Sequence, residues 1–415
     1  MKLQRGVGKD LRLVLSVIAL CPFLGRAQDW TQWRGSNRDG IVIGFSEPKT
    51  WPERLTKKWE ATVGVGHSSP VVVGRKVYLF ARQKEDEVIS CLDLDTGKEL
   101  WRDQYAVPYQ MNPAATTHGK GPKSTPVVSN GRLYTLGITG ILSCYDALSG
   151  KLRWRKDFAS QFASTSPHFG TAMSPVIDAG LLIAHVGGHD SGALAAFDAE
   201  TGEARWSWKG DGPGYASPLV VDLGGVRQVV TQSQKHLIGV SASDGALLWS
   251  IPFTTAFVQN VVTPIIYKEM LIFSGLNKGI MAVRLVRKGS SWVPEKVWEN
   301  SEISFYMSTP VLHGDLLLGM SNRNKGQFVC LDARTGAQVW AGDSRQGENA
   351  AIVKAGEKLF SLTTDAQLIV SRITSNGLEL LKRYTVAASP TWAHPVIVGN
   401  RVLIKDESTL ALWSF

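Results

Sequence analysis

Nine residues carry the side chains best suited to bind or react. They are His67, Lys123, His168, Tyr215, Asn260, Tyr306, Glu348, Trp392 and His394. Imidazoles, an amine, a carboxylate and phenols supply donors, acceptors and charge, and the aromatic rings supply flat apolar surface. Each stands a few residues before a short apolar run, so a fold that gathers the starts of those runs gathers these side chains too. The pair in HVGGH (185–189) resembles a metal motif only on a helix. The flanking sequence reads as a strand, which sets the two rings about 13 Å apart, and no zinc site is expected. No Gly-x-Ser-x-Gly elbow occurs, and no helix follows the Gly-containing segments GLNKGI and GGHDSG to form a phosphate cradle.

The elements that would position these residues are written in repeats. CLDLDTGKELW (91–101) returns as CYDALSGKLRW (144–154) and CLDARTGAQVW (330–340), with looser copies FDAETGEARW and VSASDGALLW. Upstream of each copy a small residue or Thr precedes a proline and an apolar run, at Pro70, Pro126, Pro175, Pro218, Pro264, Pro310 and Pro395. Ala351 takes the proline slot in one worn copy. The eight marks lie 41 to 56 residues apart, a spacing that admits helical pairs or propeller blades. Segments such as VVVGRKVYLFAR are short, β-branched and broken by Gly, Asn or Asp, so each unit is predicted to hold four short strands.

The Asp-x-x-Thr/Ser-Gly turn joins the third strand to the fourth. Its Asp accepts from backbone two residues on, and its Gly takes the positive φ. The Trp four residues later is predicted to fill the seam between blades. Trp101, Trp154, Trp206, Trp249, Trp298 and Trp340 occupy that slot, and Tyr384 occupies it in the seventh unit. The eighth unit ends at Phe415 without a fourth strand. Trp59 in TKKWEATVG is therefore expected to supply it and close the ring, which hides the edges. The predicted fold is an all-β, eight-bladed propeller over residues 56–415, preceded by a leader segment over 28–55.

These marks resemble the pyrroloquinoline-quinone (PQQ) repeat family of quinoprotein alcohol dehydrogenase-like propellers. Residues 56–415 carry the resemblance, and DWTQWRGSNRDG (29–40) is similar to the leader of its exported, stand-alone members. The resemblance raises a PQQ-dependent oxidoreductase of alcohols or sugars, with calcium. Such enzymes carry adjacent cysteines over the cofactor and a carboxylate for the calcium. This sequence has no Cys-Cys pair, and no catalytic or calcium carboxylate is matched. The expectation is therefore a non-catalytic binding scaffold without cofactor, the quinoprotein enzyme being the alternative. A carbohydrate-binding propeller is a third reading, from the aromatic residues Tyr215, Tyr306 and Trp392.

The first 27 residues combine early basic residues, an apolar run and Gly-Arg-Ala, and read as a secretory signal peptide. Export to the periplasm or exterior follows. Cys21 is preceded by Leu20 and followed by Pro22, a poor lipidation context. The leader carries much of the +9 net charge of the whole chain. The remaining charges form no basic block, so nucleic acid is not an expected partner. No later segment is apolar enough to span a membrane, and a monomer binding a protein or glycan is expected. Cys91, Cys144 and Cys330 share one strand slot, held elsewhere by Ala196 and Gly239, and read as packed thiols. In a four-stranded blade the links into the first strand rise on one face. The segments 103–123 and 157–173 are the longest of these links, and three readings stand for them: covers of the funnel, contacts for a partner, or ordinary long loops.

Overall fold

The structure is a computed structural model that describes residues 29–415. The signal peptide over 1–27 and Cys21 lie outside the described residues. Eight four-stranded antiparallel sheets form the ring. Blades 1 to 7 cover residues 71–106, 127–156, 176–208, 219–252, 265–300, 311–341 and 350–385. Blade 8 takes three strands from 396–414, and Thr56–Thr62 pairs antiparallel with Thr409–Ser414 as its fourth. The first strand of the ring thus completes the last blade, as the unfinished eighth repeat requires.

The repeated Asp-x-x-Thr/Ser-Gly…Trp phrase is one joint seen from both sides. The Trp of each blade lies on the turn of the next. Indole Nε1 atoms of Trp59, Trp101, Trp154, Trp206 and Trp298 donate to the carbonyls of Leu94, Ala147, Ala199, Ala242 and Ala333, at 2.9–3.2 Å. Their rings cover Gly97, Gly150, Gly202, Gly245 and Gly336, where an added Cβ would stand 2.3–2.7 Å from the indole. Glycine is required twice, by a φ of +70 to +74° and by the ring above it. Inside the turn, Asp93 Oδ1 accepts from the backbone of Asp95 and Thr96 and from the Thr96 hydroxyl.

Two of the expected docking tryptophans depart from this joint. Trp249 donates instead to Gln228 of its own blade at 2.7 Å, and Trp340 Nε1 has no partner. The reason lies in the blades that follow them. Blades 5 and 7 close these hairpins at Lys288–Ser291 and Thr374–Gly377, far beyond the usual turn, so no Asp-turn carbonyl is presented. Both rings remain buried in the seams with those blades.

The cysteine slot is explained by register. Cys91, Cys144, Cys330, Ala196 and Gly239 face Trp101, Trp154, Trp340, Trp206 and Trp249 across the ladder. A Cβ at Gly239 would already touch Trp249 at 2.2 Å. The three thiols are free and buried, and burial pushes each up to about 12.

The Ser/Thr-Pro mark builds a second ring, around the channel. The residue before each proline donates its backbone N–H to the hydroxyl of the equivalent residue in the next blade. The links run Ser69 to Thr125, Thr125 to Ser174, Ser174 to Ser217, Ser217 to Thr263 and Thr263 to Thr309. His394 donates to Ser69 at 2.8 Å and joins blade 8 to blade 1. The two links through blade 7 are missing because Ala350 and His394 occupy the acceptor slots and neither has a hydroxyl.

The leader is part of the ring rather than an appendage. Trp30 bridges to Val72, Ile41 to Lys354, and Ser46 N–H donates to Gly399. Between these ties Arg34 and Arg38 enter the channel. Arg34 donates to the carbonyls of Thr309 and Pro310 in blade 6, and Arg38 to those of Ser174 and Pro175 in blade 3. Two buried guanidiniums thus tie blades 3 and 6 through the centre.

Candidate functional site

The channel widens into a cavity of about 170 Å³ on the face where the links into the first strands rise. Its wall follows one rule. His67, Lys123, Ala172, Tyr215, Val261, Met307 and Trp392 all stand three residues before the proline mark of their blade, and all line the cavity. Ser69, Thr125 and His394, one residue before it, line it as well. Side chains in extended backbone alternate, so positions three and one before the proline share a face.

Five of the nine sequence candidates are therefore brought together: His67, Lys123, Tyr215, Trp392 and His394. Four are not. Asn260 is one residue off the register and fully buried, its amide spent on the carbonyls of Ser233, Gln234 and Phe253. Tyr306 is one residue off as well, and Met307 takes its place at the wall. His168 packs against His189 with ring centres 4.8 Å apart, away from the cavity wall. Glu348 is in register but exposed, in the blade whose repeat is worn. The long links contribute His118 from 103–123 and Phe169 and Ala172 from 157–173. Trp33 of the leader, Ser69, His118, Thr125, Phe169, Ala172, Gln259, Val261 and Met307 were missed. The constant offset from the proline would have found Ala172, Val261 and Met307.

The wall is an aromatic collar. His67 stacks on Trp392 with centres 5.3 Å apart and planes at 15°. His118 stands edge-on to Trp392 at 5.2 Å and to His67 at 6.1 Å, and Phe169 follows it at 6.3 Å. Trp33 meets His394 edge-on at 5.7 Å. The guanidiniums of Arg34 and Arg38 both sit over the Trp33 ring, 5.6 and 5.5 Å from its centre. Tyr215 is buried, and its hydroxyl accepts from Phe169 N–H and lies 3.3 Å from His189. It offers no open platform of the kind a sugar ring needs.

The electrostatics are one-sided. Lys123 Nζ donates to Phe169 O at 2.9 Å and approaches Gly119 O at 3.4 Å, and burial pushes its amine down to about 8. His67 is held well below its usual range by burial and by Lys123, His118 and Lys405. Burial and Lys123 lower His118 too, against Glu348. Burial, with Arg34, takes His394 to about 3. At neutral pH the histidines are neutral and Lys123 is the cation of the wall. Among the described residues, no carboxylate lines the cavity.

A family described as outer membrane protein assembly factor BamB matches residues 84–342, more than half of the chain. The chain belongs to this PQQ-repeat family. An outer membrane protein assembly factor BamB of Shewanella oneidensis is 27% identical over 293 residues, covering 66% of this chain and 71% of that protein. Among solved structures, BamB from Moraxella catarrhalis superposes with a TM-score of 0.62 at 15% identity, over 87% of this chain and 98% of that one. A europium-containing methanol dehydrogenase reaches 0.66 at 13% identity, over 93% and 98%. At these identities the structural likeness concerns the fold alone, which both binding proteins and enzymes share.

The cofactor apparatus of the enzymes in this fold does not fit the residues present. A calcium ion takes oxygen ligands with carboxylates among them, and the cavity wall offers an amine and imidazoles instead. Among the described residues, no three His, Cys, Asp or Glu side chains are grouped to hold a metal. None of the described helices is long and apolar enough to cross a membrane.

Proposed function

We propose that this protein is an exported, non-catalytic propeller that serves as a protein-binding scaffold in outer-membrane assembly, with the funnel face as its contact surface. The observation that carries the reading is the asymmetry of the two faces. In five blades the turns on one face repeat a single architectural joint, whereas the other face differs in every blade and gathers the polar and aromatic residues. Binding residues concentrate on loops held by a rigid scaffold. The match to outer membrane protein assembly factors supports the same reading.

Two measurements test it. A photo-crosslinking amino acid at Phe257, an exposed aromatic on the link beside Gln259, is expected to capture a subunit of the cell's outer-membrane assembly machinery. The same group at Leu148, exposed on a turn of the opposite face, is expected to capture none. Titration of PQQ with calcium into the purified protein, followed by a dye-reduction assay, is expected to show no turnover. Stoichiometric calcium-dependent PQQ with turnover would replace the scaffold with an oxidoreductase.

A further inference from the structure

The funnel cavity is more selective than a contact face requires. Its wall divides into two halves. Ala172, Val261 and Met307 of blades 3, 5 and 6 are apolar, with Tyr215 of blade 4 among them and its hydroxyl taken up by Phe169 N–H, whereas Trp392, His67 and Lys123 of blades 8, 1 and 2 bring flat rings and the amine. A volume of about 170 Å³ is of the size that takes one aromatic ring, since engineered cavities of about 150 Å³ bind benzene. The charge in its wall is of one sign, with the Glu348 carboxylate acting on His118 from the rim and Asp39 acting on Arg34. Lys123 stands in the wall without a carboxylate partner, and its two carbonyl acceptors leave one ammonium hydrogen uncommitted. Below the floor, Arg34 and Arg38 are bound to carbonyls and not to acids. Both draw on the electrons of the Trp33 ring, which favours an electron-rich or anionic partner over it.

We propose that the funnel cavity is a binding site for a small aromatic carboxylate, its ring held among Trp33, Trp392 and His67 and its carboxylate paired with Lys123. The proposal takes from the scaffold reading only the choice of face. It adds a small-molecule occupant at the bottom of the contact surface. An aromatic carboxylate satisfies both halves at once: the ring replaces water over apolar and aromatic surface, and the anion takes the free donor of the ammonium. A neutral ring leaves that donor to water alone, and an apolar carboxylate without a ring forgoes the stacking. The groups facing Lys123 sharpen the pH response. His67 and His118 are neutral at pH 7, Glu348 acts on His118 from the rim, and Lys405, held by the carbonyls of Asp406 and Glu407, adds positive potential. Affinity for a carboxylate therefore falls as pH rises through the range where Lys123 loses its proton.

The test is a titration of the purified protein at pH 7 with benzoate, 2-naphthoate and indole-3-acetate, read by tryptophan fluorescence and by calorimetry. The matching amides and cyclohexanecarboxylate are run beside them. Carboxylates are expected to bind about ten- to a hundredfold more tightly than their amides, the value of a charge-assisted hydrogen bond. Lys123→Gln is expected to erase that preference and Lys123→Arg to retain part of it. Trp392→Leu is expected to weaken the aromatic acids while leaving cyclohexanecarboxylate unchanged. Melting curves show whether each variant folds, and Trp392→Leu keeps the test open if Lys123→Gln does not. Equal affinity for acids and amides, or no saturable signal from any aromatic acid at about 10 mM, a range weaker than ordinary ligand sites, overturns the proposal. The crosslinking at Phe257 is independent of that result, so the cavity ligand can fail while the scaffold stands.

Discussion

Blade 3 contains two glycines with nearly the same backbone and opposite surroundings, and they separate the two reasons for glycine at the repeated turn. Gly202 has a φ of +72°, and an added Cβ would lie 2.7 Å from Trp154 of the preceding blade. Gly180 has a φ of +80°, and an added Cβ would meet nothing within 4 Å. Alanine at Gly180 bears only the cost of the left-handed conformation, about 1–2 kcal/mol. Alanine at Gly202 bears that cost and also forces the indole off its seat. Overpacking of this kind costs about 1–3 kcal/mol more, and the 3.1 Å bond from Trp154 to Ala199 O is stretched with it. The expected order is Gly202→Ala well below Gly180→Ala, with the difference in urea midpoint at constant slope giving the contact itself. A Gly202→Ala, Trp154→Phe double variant should recover part of the loss, because the smaller ring leaves room for the methyl group. Equal midpoints for the two alanine variants would refute the joint as the reason for the repeated glycine.

Three further outcomes follow from the same geometry. Arg34→Met removes the tie to blade 6 and strands the carbonyls of Thr309 and Pro310; it should cost about 2–4 kcal/mol and open the leader to limited proteolysis, whereas Arg54→Met, on the exposed leader surface, should stay within about 0.5 kcal/mol. Acid should destabilise the fold. His185 is fully buried, its Nε2 3.0 Å from Asp211 O, and burial lowers it to about 4, so the unfolded chain takes up a proton near 6.5 that the native ring refuses. Stability is then lost as pH falls from about 6.5 to 4, by up to about 3 kcal/mol for this residue, and the gap between urea midpoints at pH 7 and 4.5 should narrow in His185→Gln, the rest being left to His67, His189 and His394, which burial lowers too. Finally, Cys91, Cys144 and Cys330 should resist a disulfide exchange reagent at pH 8 in the native chain from residue 28 onward and react together on unfolding, because burial holds all three near 12.

The ring was legible because its two marks are local phrases with fixed spacing. A turn Asp, a Gly and a Trp within eleven residues announce a blade, and the unfinished eighth copy announces the closing strand before any contact is known. The site was half legible. His67, Lys123, Tyr215 and Trp392 were found because they are chemically conspicuous and in register. Asn260, Tyr306 and His168 were chosen for their chemistry alone, one to four residues out of register, and at a period of two a shift of one residue turns the side chain to the other face. His118 and Phe169 reach the cavity from links whose path is set by packing, so no spacing rule places them. Trp33 and Arg34 come from a leader that has no strand pattern. Its entry into the channel is set by carbonyls nearly three hundred residues away, which a reading of neighbours cannot supply.

The repeat itself explains why the cavity lies where it does. Six blades place Ser or Thr before the proline slot, and the hydroxyl serves the backbone of the blade before it. Those positions are occupied by architecture and are not free to vary toward a ligand. Blade 8 breaks the rule with His394, which keeps the donor half of the link to Ser69 and gives up the acceptor half. The imidazole then stands against Trp33 in the cavity wall. Blade 7 has also given up its hydroxyl at Ala350, so the two missing links lie side by side and leave the ring a single gap. The leader's arginines tie blades 3 and 6 across the channel, blade 3 within the run of unbroken links and blade 6 at its end. In a fold built of near-identical units, the position before the proline can take on new chemistry only where a unit departs from the rule. Blades 7 and 8 depart from it, and His394 and Trp392 of blade 8 stand in the cavity wall. Restoring the hydroxyl with His394→Ser should therefore leave the ring intact and remove the edge contact to Trp33, a change read directly in the tryptophan emission of the unliganded protein.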